Sequence, residues 1–139
     1  ANVIAAATAP DWTLKIMGPQ PYALTPAEVE ELAVHEARFP VSCVEGWSVD
    51  AQWRGMLLLE VVERAGGTAD SQVRVRSLEP AGFFNKSVIF GPQLSLALLA
   101  THLNGERLTV DHGYPLRLIA PNRAGAFNTK WLATIEVLP

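Results

Sequence analysis

A single cysteine, Cys43, stands in the stretch VSCVEGWSVDAQWRG (41–55), with Glu45 two residues on and Trp47 and Trp53 close behind. A thiol in such surroundings has three uses. It fills a core as a small hydrophobe, since free cysteine is among the most buried residue types. It attacks a substrate when a base and an orienting group activate it. Or its thiolate binds a soft metal. The nucleophile reading needs His35, His102 or His112 as its base, and none of them sits in a protease-like signature. Structural zinc takes about four ligands, and one cysteine with three scattered histidines offers no closely spaced ligand pair. A metal whose remaining ligands come from a cofactor needs only one protein thiolate, so that reading stays open beside the buried filler.

Such a cofactor is anionic and needs positive donors. The stretch DHGYPLRLIAPNRAGAFNTKW (111–131) supplies His112, Arg117, Arg123 and Lys130, with Gly113 and Gly125 permitting turns and close backbone approach. Arginine offers two parallel donors to a phosphate and lysine a point charge. The plainer alternative is that Arg117 and Lys130 mark the solvent side of two strands. No GxxxxGK[ST], GxGxxG or HExxH pattern occurs. Glu60 and Glu63 fall on an expected helix and read as a solvated face. Tyr114 and Trp131 read as core or pocket wall, and Trp47 and Trp53 as packing around the cysteine loop.

The elements that must position these residues follow from periodicity and punctuation. DWTLKIMG (11–18) alternates and stops at Gly18, which predicts a strand and turn. In LTPAEVEELAV, Thr25 as N-cap, Pro26 in the first turn and Glu28 three residues on predict a helix with a capping box. RFPVSCVE reads as a strand with Pro40 near its start. RGMLLLEVVERAGG predicts a helix stopped by Gly66 and Gly67. SQVRVRSL and NKSVIF read as strands, QLSLALLATHLNG as a helix ending at Asn104-Gly105, and ERLTV, PLRLIAP and TKWLATIEVL as extended. About seven strands and three helices, not strictly alternating, predict an α+β or mixed-sheet α/β fold, not a doubly wound one.

The totals agree. A chain of 139 residues, 49% hydrophobic and 18% charged, suits one globular domain with one core. The net charge of −3 argues against non-specific nucleic-acid binding. One cysteine makes no intrachain disulfide, and no apolar run is long enough to span a membrane as a helix. Residues 1–10, ANVIAAATAP, read as a processed or truncated N-terminal segment lacking an initiating Met, with 11–139 as a single domain and an upstream segment expected.

Taken together, three stretches resemble the molybdopterin-binding domain of the sulfite oxidase superfamily. DWTLKIMG with ALTPAEVEEL resembles its opening strand, turn and helix. CVEGWSVDAQWRGMLLLEVVERAG resembles the segment with the molybdenum-ligating cysteine, in the form found in protein-methionine-sulfoxide reductase catalytic subunits and related membrane-linked bacterial oxidoreductases. LNGERLTVDHGYPLRLIAPNRAGAFNTKWLATIEV is similar to the closing segment. The resemblance spans roughly residues 11–138. It implies an α+β, mixed-sheet and barrel-like fold, and a mononuclear molybdenum held by one molybdopterin and by Cys43. It implies Glu45 as a carboxylate beside the metal that helps catalysis, and Ser77, His112, Arg117, Arg123 and Lys130 as cofactor-binding residues.

Sulfite oxidases proper carry arginines just after the cysteine; this chain has Val44, Glu45, Gly46 and Trp47. An added carboxylate repels an oxyanion, so sulfite is not the expected substrate. The expectation is a molybdopterin-dependent oxidoreductase moving an oxygen atom to or from a small or protein-bound acceptor. It would work with an external or membrane electron partner, without nucleic acid, on the outer side of a bacterial cytoplasmic membrane, tethered through the upstream segment. The cytoplasm is the alternative location. The alternative function is an inactive binding or sensor module of the same fold, and a plain structural domain with a buried cysteine is the third.

Overall fold

The computed structural model describes residues 3–42, 48–78, 86–120 and 129–139. Four short helices and ten strands lie among them. In chain order they are α1 (Val3–Ala7), β1 (Leu14–Met17), β2 (Tyr22–Leu24), α2 (Pro26–Leu32), β3 (His35–Ser42), β4 (Ser48–Leu57), α3 (Leu58–Arg64) and β5 (Val73–Ser77). Then come β6 (Lys86–Ile89), α4 (Pro92–Leu96), β7 (Leu98–Leu103), β8 (Glu106–Arg107), a 3-10 turn at Val110–His112, β9 (Arg117–Ile119) and β10 (Leu132–Val137). The fold is α+β with mixed sheets, as expected, but with more strands than the seven anticipated. α1 lies within the segment read as a processed end, and Ala7 on it is buried.

One sheet runs β2-β1-β10-β5-β6. Its β1–β10 pair is parallel, with Lys15 opposite Thr134 and Ile16 opposite Ile135, and its other pairs are antiparallel. The second sheet runs β3-β4-β7-β8, with β9 also on β7. The main core lies between the sheets and helices. Leu14, Ile16, Val75, Leu132 and Ile135 come from the first sheet, Met56, Leu99 and Leu118 from the second, and Val29, Leu58, Val62 and Leu94 from helices. The second sheet has apolar residues on its other face too, where Ala51, Trp53, Leu98, Ala100, Leu108 and Ile119 form a smaller cluster.

Burial on both faces explains two corrections to the sequence reading. Leu98–Leu103 is strand, although LSLALLATHL reads as helix, because a strand covered on both sides loses its alternation and becomes a continuous apolar run. Only Pro92–Leu96 is helical there. Likewise Arg54–Leu57 belongs to β4, and the helix placed on RGMLLLEVVERAGG starts at Leu58, whose N–H donates to Ala97 O at 3.1 Å. The Thr25–Glu28 capping box is present as expected, with Glu28 N–H donating to Thr25 Oγ1 at 3.2 Å and Thr25 N–H donating to Glu28 Oε1 at 3.0 Å.

Where β4 meets β7 the register shifts between Arg54 and Gly55: Arg54 faces His102 but Gly55 faces Ala100. Thr101 is the extra residue of this bulge. Its hydroxyl donates to Arg54 O at 3.2 Å, so Nδ1 of His102, 2.7 Å from the same oxygen, is the donor in that contact. Nε2 is then the acceptor for Arg54 Nη2 at 2.9 Å.

Candidate functional site

Four of the predicted site residues converge on one strand junction. Thr109 Oγ1 accepts the backbone N–H of His112 at 3.3 Å, closing the 3-10 turn, and meets Nδ1 of the same ring at 2.8 Å. Gly113, at φ +116°, reverses the chain after that turn. A Cβ there would lie 2.8 Å from Cβ of Arg117, so the missing side chain is what lets the arginine stem lie against the turn. Arg117 opens β9 and its Nη1 donates to His112 O at 3.2 Å.

The segment 129–132 knits the rest to this turn. Leu118 N–H donates to Thr129 O at 2.8 Å and Leu132 N–H to Leu116 O at 3.0 Å. Lys130 Nζ donates to Asp111 O at 2.9 Å. Trp131 holds a left-handed backbone, φ 54°, a conformation that costs a bulky residue about 1–3 kcal/mol. Three bonds hold it there: its Nε1 donates to Val110 O at 2.6 Å, its N–H to Gly113 O at 3.4 Å, and its carbonyl accepts from Leu78 N–H at 2.6 Å. Ser77 ends β5 directly opposite Leu132, which brings it to the same junction.

The electrostatics are those of an anion site. Arg117 is only 7% exposed, and burial pulls its pKa down to about 10. Its guanidinium carbon lies 5.3 Å from the centroid of the Trp53 ring. No ion pair joins it to a carboxylate among the described residues, and its Nε is buried with no hydrogen-bond partner. Lys130 is held below the usual lysine value by burial first and by the positive charge of Arg117 second, with Asp111 opposing. Two cations, the lysine disfavoured by the arginine's charge and the arginine buried with an open donor, leave charge that a bound anion would neutralise. A phosphate-bearing cofactor fits this donor set, and a cationic one does not.

Cys43, Glu45 and Arg123 lie outside the described residues. Positions 43–47 fall between Ser42 and Ser48, which pair at the end of the β3–β4 hairpin, and Trp53 opposite Ala37 is part of the same hairpin. The reading of Arg117 as the solvent side of a strand is overturned by its burial. The sequence reading passed over Thr109; a Thr three residues before a His and Gly is a capping signal that TVDHG carries. The carbonyls of Val110, Asp111 and His112 leave no mark in a sequence.

A family model described as the oxidoreductase molybdopterin binding domain matches residues 1–139. The chain is 30% identical over 128 residues to the uncharacterized oxidoreductase YuiH of Bacillus subtilis, covering 90% of this chain and 64% of that protein. It is 32% identical over 144 residues to the protein-methionine-sulfoxide reductase catalytic subunit MsrP of Xanthomonas axonopodis pv. citri, covering 90% of this chain and 44% of that one. The chain thus spans less than two thirds of the length of either relative. In fold it is similar to the sulfane dehydrogenase SoxCD of Paracoccus pantotrophus, with TM-score 0.80 at 19% identity over 92% of this chain and 38% of that one.

Proposed function

We propose, from the premise that this chain belongs to the oxidoreductase molybdopterin binding domains of the sulfite oxidase superfamily, that it performs two-electron oxygen-atom transfer at a molybdenum ligated by Cys43, on a substrate other than sulfite. Its cofactor is molybdenum with molybdopterin. The observation that carries the assignment of the site is Arg117, a buried cation with an open Nε donor and no carboxylate partner among the described residues, beside the half-buried Lys130.

When bound, the cofactor supplies a redox centre that exchanges two electrons. The chain's own residues would hold and shield it. Arg117 and Lys130 would neutralise its phosphate, the first with a directional fork and the second with a point charge. His112, its Nδ1 engaged by Thr109, would offer its other ring nitrogen to the pterin, and Ser77 would add a hydroxyl at the end of β5. Arg123 would add positive charge from the segment that follows β9 in the sequence. The Cys43 thiolate would be the one protein ligand to the metal. Glu45 would orient water or protonated groups beside it and repel oxyanions such as sulfite.

An external or membrane-bound partner would carry the electrons, and the resemblance of the Cys43 segment to membrane-linked bacterial oxidoreductases is what favours a location outside the cytoplasm. Among the described residues no helix is long and apolar enough to cross a membrane.

The test is molybdenum and pterin content per chain after expression in a molybdopterin-competent host, wild type beside Cys43→Ser. Near-stoichiometric molybdenum whose coordination changes in the variant is the expected result. Unchanged coordination would return Cys43 to the core. A folded wild type without molybdenum would favour the inactive binding module instead.

A further inference from the structure

β3 ends its sheet. Its eight residues pair with β4 without a break from His35 to Ser42, and among the described residues no strand lies on its other side. An open edge of that length is a template for another strand unless something blunts it. Pro40 blunts one end. Proline is tolerated in a sheet where its missing N–H faces away from the ladder, so the backbone nitrogen of Pro40 belongs on the open side. Backbone groups alternate along a strand, so Glu36 and Arg38 turn their N–H and C=O groups to that side as well. No backbone bond outside the ladder engages either residue among the described residues. Their side chains share a face, are both exposed, and join no ion pair among the described residues.

We infer that β3 is an interface to a second copy of this chain, in which two β3 edges pair antiparallel about a two-fold axis at Ala37, with Glu36 of each copy opposite Arg38 of the other. Directly opposed residues of an antiparallel pair both point their backbone groups at each other or both point them away. The two-fold axis between identical strands therefore passes at a residue, not between two. An axis at Glu36 or at Arg38 sets that residue against its own copy, and like charges directly opposed are destabilising. An axis at Phe39 sets Arg38 against Pro40, which has no N–H to give. An axis at His35 sets Glu36 against Val34, whose N–H already donates to Leu32 O at 2.9 Å. The axis at Ala37 opposes unlike charges on both sides, and lets Glu36 and Arg38 exchange N–H···O bonds across the edge. A strand of another protein fits this edge only if it carries an acid and a base at the same spacing and in the same order. A second copy carries them necessarily. The inference is independent of the cofactor reading.

The test reverses the charges. Arg38→Glu leaves acids at both positions and Glu36→Arg leaves bases at both, so each single variant repels itself. The two variants mixed restore unlike pairs, and so does the double variant E36R/R38E alone. Sedimentation equilibrium of the holo chain at about 50 mM salt reads the self-association of each, with circular dichroism as the check on folding. An edge pairing this short falls below the ~1,000 Å² of a stable interface, so wild type is expected to pass from monomer to dimer between about 1 µM and about 1 mM.

Each single variant is expected to dimerise about tenfold more weakly than wild type. The mixture and the double variant are expected to return to wild-type strength, and about 0.5 M salt to weaken all of them toward the single variants. A wild type that stays monomeric to about 1 mM overturns the inference, whatever strand of another protein the edge then proves to take. Single variants that dimerise as wild type does overturn it too, because the interface then lies elsewhere. So does a loss in the single variants that neither the mixture nor the double variant restores.

Discussion

At the scale of single residues, the candidate site centres on Arg117, a buried cation with no carboxylate partner among the described residues. Replacing Arg117 by Met removes a buried charge, and such replacements are often neutral or stabilising when the volume is kept. The cofactor-free protein with Arg117→Met is therefore expected to be at least as stable to urea as wild type, while its pterin content falls sharply; denaturation and pterin assay check both halves. Gly113→Ala tests the same residue from behind. The added Cβ meets Cβ of Arg117 at 2.8 Å in a backbone at φ +116°, so a loss of about 1–2 kcal/mol in stability together with weakened cofactor retention is expected. His112, Arg117 and Lys130 stood out in the sequence because their types are unusual among apolar neighbours and their spacing resembles a motif, and the structure brings them to one turn. Trp53 did not, because a tryptophan in an apolar run reads the same whether its N–H is satisfied or open. Only the three-dimensional neighbourhood separates the two cases.

At the scale of elements, the β4–β7 bulge joins chemistry to strand pairing. His102 is held below the ordinary histidine value of 6.5 by burial first and then by Arg54, with Arg107 adding and Glu30 opposing. Arg107 reaches this cluster through its ion pair with Glu30 at 3.1 Å, which ties α2 to β8. A histidine depressed in the folded state takes up its proton more readily when unfolded. The bulge's contribution is therefore complete above pH 6.5 and is lost as the pH falls below it, toward the folded-state value. Urea midpoints measured across that range should fall toward acid in wild type, and the slope should flatten in His102→Gln. Gly55 sits at the same crossing, where a Cβ would collide with the Leu99 carbonyl. Gly55→Ala is expected to cost several kcal/mol or prevent folding, read by circular dichroism and yield. The helix starting at Thr25 was legible because caps are local chemistry. The Arg54–Leu57 and Leu98–Leu103 strands were not, because their patterns are set by a second buried face that no local window contains.

At the scale of the whole molecule, two sheets enclose one main core, and the candidate site residues gather where the 3-10 turn, β9 and the start of β10 meet the end of β5. The family and the α+β class followed from motifs spread along the chain; the sheet order did not, since no local signal pairs residues 14–17 with 132–137. β10 occupies the middle of its sheet, between the parallel neighbour β1 and the antiparallel neighbour β5. Its amides are expected to be among the slowest of the first sheet to exchange with deuterium, and those of the short edge strand β2 among the fastest, as exchange mass spectrometry would show.

That central place also sets a timetable for synthesis. A nascent chain that ends before residue 132 holds the residues of β1, β2, β5 and β6 but would leave two open strand edges where β10 belongs. Lys130 and the Trp131 clamp emerge from the ribosome just ahead of the strand that closes the gap. The proposed cofactor site and the sheet would thus be completed by the same few residues, and until they emerge the polypeptide carries two β-edges that chaperones would have to shield.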